Sequence, residues 1–388
     1  MRDGTARALL AAVAHQGKPA RLIAPKLALA GLPDARDVQL IRRQVRQLLP
    51  ELAAGRAAVY REIWESAADR LGAEVEPGSG GFLRICRGRA VTTVRENLVQ
   101  LDDPVTLAIA GDRAVAGDRL TRVGLPVAEH LPFDLSDVTP ALEFLRTQAR
   151  CVVKPLRDTG AGAGVTCGVQ TPGELVRAAL TAVRHSPELV IERQLTGTEH
   201  RLLVLDGTVV GAIRRLPPSL VGDGRSTVTQ LLMAENRHRV AAGGRHGLFL
   251  LDLSLDAAIA LRRQGLRPSS VPADGQRVVV AGAANTGGSA DCETEEAPAA
   301  LADAATTAVR ALGLRWASVE VSCTDADRGL VASGDGIIEV NSTPGVTYHY
   351  QVRDPATITS VAEPVLAALL GGPTAVGATS AAGDPGAD

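Results

Sequence analysis

The apolar run Val152-Val153-Lys154-Pro155 carries a lysine near its end, and three glycines, Gly160, Gly162 and Gly164, follow at alternate positions. Unhindered backbone amides in such a loop can fold over phosphate oxygens, and an ammonium on the incoming strand can address the same group. The same glycines also suit an ordinary surface loop, so their flanks matter. A dinucleotide-binding fingerprint needs a helix directly after the glycines and an acidic residue about twenty positions on. Here residues 165–169 alternate as a strand instead. A Walker loop must close on Gly-Lys-Ser/Thr, whereas this one closes on Gly164-Val165-Thr166. What remains is a hairpin lid with Lys154 just ahead of it, able to grip phosphates.

The surrounding pattern supplies the supports for such a lid. Pro172 and the Leu175, Ala179, Val183 stripe predict a helix, followed by a strand at 189–193. Residues 201–205 and 209–213 read as strands joined by Asp206-Gly207, a strong hairpin signal. Further strands are expected at 277–280, 318–323 and 336–340, and a helix from the Gly222-Asp223-Gly224 turn to about Asn236. Ahead of the lid, a helix is expected from Pro104 through Arg122, then a strand and a helix at 141–149. The first hundred residues show helical spacing at 35–53 and 59–71, then two short apolar runs, 82–86 and 90–94, that read as a hairpin.

Composition narrows the classes. With 388 residues, two or three structural units are expected. Forty-one basic against 43 acidic side chains leave a net charge of -2, so nothing pulls the chain toward nucleic acid or anionic lipid, and any anion must be held locally. Aromatic content of 2% is too low for base-stacking platforms. No apolar run approaches membrane length. Five widely spaced cysteines without a Cys-x-x-Cys pair suggest reduced fillers, and the N-terminus lacks a convincing cleavage site. A soluble cytoplasmic protein with no nucleic-acid or membrane partner is expected.

Several motifs in order resemble the ATP-grasp superfamily of carboxylate ligases. They are Val152-Val153-Lys154-Pro155 with its glycine loop, Val190-Ile191-Glu192-Arg193, Gly197-Thr198-Glu199-His200-Arg201, and Ile338-Glu339-Val340-Asn341 running on to Gly345. Arg214-Arg215, the stretch from Val221 to Thr227, residues 270–277 and Thr286-Gly287-Gly288 resemble more specifically the central ATP-grasp domain of the cyanophycin synthetases. The resemblance spans roughly 104–370. It implies an α/β (α+β) ATP-grasp fold with a small N-terminal α/β domain. The expected parts are an N-terminal domain at 1–103, an ATP-grasp linker region at 104–145, a lid at 146–213, a C-terminal subdomain at 214–370 and a disordered tail at 371–388.

Site residues follow from the same resemblance. Lys154 would contact the nucleotide phosphates, Gly160, Gly162 and Gly164 would close over them, Glu192 would sit at adenine and Glu199 at the ribose hydroxyls. Arg113 stands where the family has a lysine, keeping the charge. Arg201 and Arg215 would lie near the phosphate or the activated carboxylate, and Thr286, Gly287, Gly288 and Gly345 near the substrate. Glu320, Glu339 and Asn341 offer hard oxygens for Mg2+. Glu339 and Asn341 are two apart and share a strand face, and both acids interrupt apolar strands, where an unpaired charge would be costly. Ala281, Gly282 and Ala283 replace the family's asparagines, so a rebuilt substrate pocket is expected. Tyr348-His349-Tyr350 suits a pocket wall or a packed loop equally.

The implied reaction uses ATP and Mg2+ to turn a carboxylate into an acyl phosphate that an amine then attacks. An ADP-forming acid–amino-acid ligase is therefore expected, acting on small-molecule amino acid or peptide substrates to give a dipeptide or a γ-glutamyl product, with a homodimer common in the family. Two other readings stand beside it: a ligase modifying a larger peptide or carrier recognised by residues 1–103, and a non-catalytic nucleotide-binding protein.

Overall fold

The computed structural model describes residues 35–157, 162–284, 287–330 and 334–371. Gly160, Thr286 and the tail from 372 on lie outside the described residues, as do the first 34 positions of the expected N-terminal domain.

Helix α1 (Ala35–Arg70) runs unbroken through Pro50, joining two stretches that the spacing predicts separately. Strands β1 (Glu74–Pro77), β2 (Leu83–Arg87) and β3 (Ala90–Val94) form a small antiparallel sheet against it. The expected single helix after Pro104 is two: α2 (Pro104–Gly111) and α3 (Arg113–Arg122). The break falls at Asp112, whose extended backbone ends the first helix while its carboxylate caps the second through Ala114 and Val115. Next come β4 (His130–Phe133), α4 (Thr139–Thr147), β5 (Cys151–Pro155), β6 (Thr166–Val169), α5 (Pro172–Ala182) and β7 (Leu189–Arg193). A Thr171/Glu174 capping box with Pro172 in the first turn fixes the start of α5.

Then follow β8 (Thr198–Leu205), β9 (Thr208–Arg215), β10 (Ser219–Val221), α6 (Val228–Ala241), α7 (Leu255–Arg263), β11 (Arg277–Val279), β12 (Cys292–Glu295), α8 (Ala299–Leu312), β13 (Trp316–Cys323), β14 (Gly336–Asn341) and α9 (Ala362–Leu369). The Asp206-Gly207 turn joins β8 and β9 with positive φ at both residues, as a two-residue hairpin requires.

Two antiparallel sheets carry the architecture: a four-stranded one ordered β4-β7-β5-β6 and a five-stranded one ordered β12-β9-β8-β13-β14. The chain is thus a mixed α/β (α+β) protein. The segment expected to form the lid, 146–213, is divided between them. β5, β6 and β7 belong to the four-stranded sheet, whereas β8 and β9 pair with β13 and β12 in the other. Pairing partners 77 or more residues away decide that division, and local pattern cannot report them. Among the described residues no helix is long and apolar enough to cross a membrane.

Helices α4 and α5 bury Leu142, Leu175 and Leu180 on the four-stranded sheet, while α8 buries Ala305, Ala308 and Leu312 on one face of the five-stranded sheet. Part of that sheet's opposite face, through Leu203, Leu205 and Trp316, packs against Trp64 of α1 and Val365 of α9. Alternation along each strand therefore leaves Glu199, Arg201 and Glu320 on the α1 side.

A buried carboxylate ties the four-stranded sheet to the segment that follows β9. Asp256, in the first turn of α7, accepts from the amides of Cys167 in β6 (2.8 Å) and Gly282 (2.6 Å). A Cβ on Gly282 would stand 2.6 Å from that of Cys167, so only glycine fits there. Burial raises the Asp256 carboxyl above its usual range despite the amides that hold it. Asp256→Ala strands two amides in a closed contact, at a cost of about 2 kcal/mol after the relief of removing a buried acid. Urea unfolding should show this as a lower midpoint with unchanged slope. A wild-type midpoint would mean the tether contributes nothing.

Candidate active site

A cleft of about 790 Å³ opens between the two sheets, within the ~300–1,000 Å³ typical of small-molecule sites. It is lined by Lys154 and Glu192 from the four-stranded sheet, by Glu199, Arg201, Arg215, Glu320, Glu339 and Asn341 from the five-stranded one, and by Arg113, Gly162 and Gly345. Residues up to 232 positions apart in the chain meet there, and strand register sets those of the five-stranded sheet in rows. Glu320 lies directly opposite Arg201 on one side and Glu339 on the other, and Glu199 lies opposite Arg215.

A β-bulge shapes the last row. Glu320 pairs with Glu339 but Val321 pairs with Ile337, which leaves Ile338 as the extra residue. Ile337 and Val340 therefore both face the α8 core, and Glu339 and Asn341 both face the cleft.

Every acid in the cleft centre is paired. Lys154 Nζ lies 2.7 Å from Glu192, and Lys154 is almost wholly buried. Arg113 Nη2 donates to Glu339 at 2.8 Å. Glu320 accepts from Arg201 on one oxygen and from Arg215 on the other, the latter at 2.7 Å, while Arg215 also holds Glu199. Burial opposes ionisation of Glu320, but Arg215 and Arg201 outweigh it and hold its carboxyl below the ordinary range. Glu199 shifts upward, mainly from burial.

The arginines nevertheless keep unused donors. Among the described residues, Arg113 Nε, Arg201 Nε and both Nε and Nη1 of Arg215 are buried without a hydrogen-bond partner. Such groups are costly to bury unsatisfied, and clustered around one cleft they suit a multivalent oxyanion such as a phosphate. Oxygen donors stand beside them. A carboxylate has about four lone-pair directions, and Glu320 and Glu339 use only part of theirs. With the Asn341 amide oxygen they form a set that suits Mg2+ if phosphates supply further ligands. Among the described residues no group of three His, Cys, Asp or Glu side chains could hold a metal unaided.

Other expected site residues lie elsewhere. Gly164, with φ +79°, packs against Pro155 and His185, where a Cβ would clash at 2.8 Å, and it is absent from the cleft wall. Gly287 and Gly288 are also absent from it. Their amides bond to Ala284 and Asp291, and a Cβ on Gly288 would meet the His246 carbonyl at 2.7 Å. These glycines serve close packing. Gly345 does line the cleft, and its carbonyl accepts from Arg201 Nη2 at 3.3 Å.

Of the Tyr348-His349-Tyr350 run, which suited a pocket wall or a packed loop, Tyr348 lines the cleft, and the N-terminal unit adds residues that the sequence does not single out. The Tyr348 ring stacks under both Arg201 (5.1 Å) and Arg215 (5.4 Å), and burial pushes its hydroxyl up to about 12. From the N-terminal unit come Arg56, Tyr60 and Asn97, the last donating to the Thr343 carbonyl at 2.7 Å. The clue available in the sequence was a Tyr-His-Tyr run just past a candidate metal strand; α1 offered none.

His349, beside Tyr348, is fully enclosed near Gly211 with neither ring nitrogen bonded. Burial, then Arg201 and Arg215, pull its imidazole down to about 3. An unfolded chain takes a proton on histidine below about 6.5 that the folded one refuses. Stability from this group is thus complete above that pH and lost as pH falls toward 3. Between pH 7 and 5 the loss should be roughly 1–2 kcal/mol, and His349→Leu should flatten that limb in urea midpoints measured against pH. Parallel limbs in the two proteins would exclude His349 as the titrating group.

No family model matches the chain. Over 246 residues it is 32% identical to cyanophycin synthetase from Nostoc sp. (strain PCC 7120 / SAG 25.82 / UTEX 2576), an alignment covering 62% of this chain and 27% of that protein. It is 28% identical over 296 residues to the glutathione biosynthesis bifunctional protein GshAB of Mannheimia succiniciproducens, covering 74% of this chain and 39% of that protein. The crystal structure of a bifunctional glutathione synthetase from Pasteurella multocida superposes with a TM-score of 0.49 at 23% identity, over 77% of this chain and 41% of that one. The chain matches well under half the length of these curated relatives. By sequence it is related to the cyanophycin synthetases and to the bifunctional glutathione biosynthesis proteins.

Proposed function

We propose that the cleft forms an amide bond between an amino-acid or peptide carboxylate and the amine of a second amino acid or short peptide, with release of ADP. The observation that carries this reading is the set of four buried, unpartnered guanidinium nitrogens on Arg113, Arg201 and Arg215 around one cleft. The sequence relationship to ligases supports it.

ATP would supply a phosphoryl group that makes the carboxylate susceptible to attack. Lys154 and Arg113 hold positive charge where phosphate oxygens would rest, Lys154 kept in place by Glu192 and Arg113 by Glu339. Glu320, Glu339 and Asn341 would hold Mg2+ as hard oxygen donors. Arg201 and Arg215, fixed by Glu320 and stacked on Tyr348, present preset N–H groups to charge that builds on a reacting oxyanion. Glu199 and Glu192 offer acceptors for hydroxyl or amino groups of the nucleotide. A cleft of about 790 Å³, walled in part by Arg56, Tyr60 and Asn97, suits small substrates better than a large carrier.

ADP release measured over a matrix of amino-acid pairs with Mg2+, with product masses determined, tests the reading. At least one pair should yield a product lighter than its components by one water. Lys154→Ala and Glu339→Ala should each lower kcat/KM by about 10²-fold or more while circular dichroism stays native. Wild-type rates in either variant would remove these residues from the site.

A further inference from the structure

Arg56 reaches the cleft through a close contact of α1 that only glycine allows. A Cβ on Gly55 would stand 2.7 Å from the Gly243 carbonyl oxygen, so the helix lies directly against the backbone there and delivers the next residue to the cleft wall. Arg56 Nε is anchored on Glu96 at 2.8 Å, and the guanidinium lies over the rings of Tyr60 (5.5 Å) and Phe249 (6.0 Å). Its two terminal nitrogens have no hydrogen-bond partner among the described residues, and the side chain is 29% exposed. Phe249 in turn stacks with Tyr348 at 6.4 Å, and Tyr348 carries Arg201. Cation, ring, ring and cation thus run along the wall, with Arg56 two rings away from the buried arginines.

A guanidinium held by Nε and stacked on aromatic faces presents a preset fork, the geometry that takes a carboxylate on two hydrogen bonds. The buried arginines already answer the charge at the reacting centre. Arg56 stands too far along the wall to share that task and too exposed to be a structural charge.

We propose that Arg56 is the specificity residue of the cleft and reads a carboxylate that the substrate keeps after reaction. The inference rests on reading the cleft as a ligase site. The retained group belongs either to the amine partner, as its α-carboxylate, or to the acid partner, as a second carboxylate.

Equilibrium dialysis of the full chain tests this, using the twenty L-amino acids and their glycyl dipeptides as probes. Each is set against its α-amide, and the acidic ones also against their side-chain amides, with retention read by mass spectrometry. Wild-type protein should retain at least one acid tenfold or more over its amide. Arg56→Gln should lower that retention tenfold or more and erase the preference, and Arg56→Lys, which keeps charge but not the fork, should fall between. Loss on α-amidation across all retained probes assigns the group to the amine partner, and loss on side-chain amidation alone assigns it to the acid partner. Amides retained as well as acids, an Arg56→Gln profile equal to wild type, or no probe retained would each overturn the proposal. Thermal melts check folding, and if Arg56→Gln unfolds, an undiminished preference in Arg56→Lys is the overturning result. Absent amide formation alongside Arg56-dependent retention would sink the ligase reading alone.

Discussion

Glu320, enclosed between Arg201 and Arg215, is the interaction on which the cleft depends. Three charges lie out of water on adjacent strands, and their mutual attraction offsets desolvation only while the geometry is maintained. Strand register maintains it. A slip of one residue in β13 would turn Glu320 toward the α8 core and bring Val319 or Val321 to face the arginines. The apolar residues that alternate with the charged ones, Leu202, Val319 and Val321, are therefore as necessary to the site as the charges, since their burial against α8 fixes which face is which.

Around that triad the site is assembled from pieces that are each incomplete. The four-stranded sheet brings a lysine with its own counter-ion, and the five-stranded sheet brings oxygen donors and buried guanidinium groups. Helix α1 lends Arg56 and Tyr60 to the cleft wall and secures the loop after β14. The Tyr60 hydroxyl lies near the Cβ position of Gly345 and bonds the Thr347 side chain, and Asn97 takes the Thr343 carbonyl. The N-terminal unit shares a hydrophobic core with the sheet, through Trp64, Leu203 and Trp316, so its contribution to the cleft wall is rigidly seated.

Local chemistry made part of this legible in the sequence. Lys154 at a strand end, Glu339 and Asn341 on one face, the Asp206-Gly207 hairpin and the Pro172 helix start each depend on neighbours a few residues away, and each lies where spacing places it. What escaped depends on distant partners. The bulge at Ile338, the pairing of β8 with β13, and the Arg201–Glu320 contact across 119 positions are set by tertiary register. Strand β12 and helices α7 and α9 are short and find their places through packing, whereas α8 carries a plain helical stripe, Leu301, Ala305, Ala308 and Leu312, that local spacing does offer. Glycines gave the least reliable signal. Gly164 and Gly288 are required for close packing against His185 and the His246 carbonyl, and composition alone cannot separate that need from amides that hold a ligand.

The Asp256 carboxylate links β6 to Gly282 and so fuses two regions that the sheet order would treat as separate. Arg263 adds a second strut, donating to the Gly168 carbonyl and the Gln170 side chain. The four-stranded sheet therefore cannot swing like a thin flap on the linker at Gln194–Gly197. It would have to carry helix α7 and the turn before the Gly287-Gly288 pair as ballast, so any parting of the two sheets would move two blocks of structure and not one hinged flap.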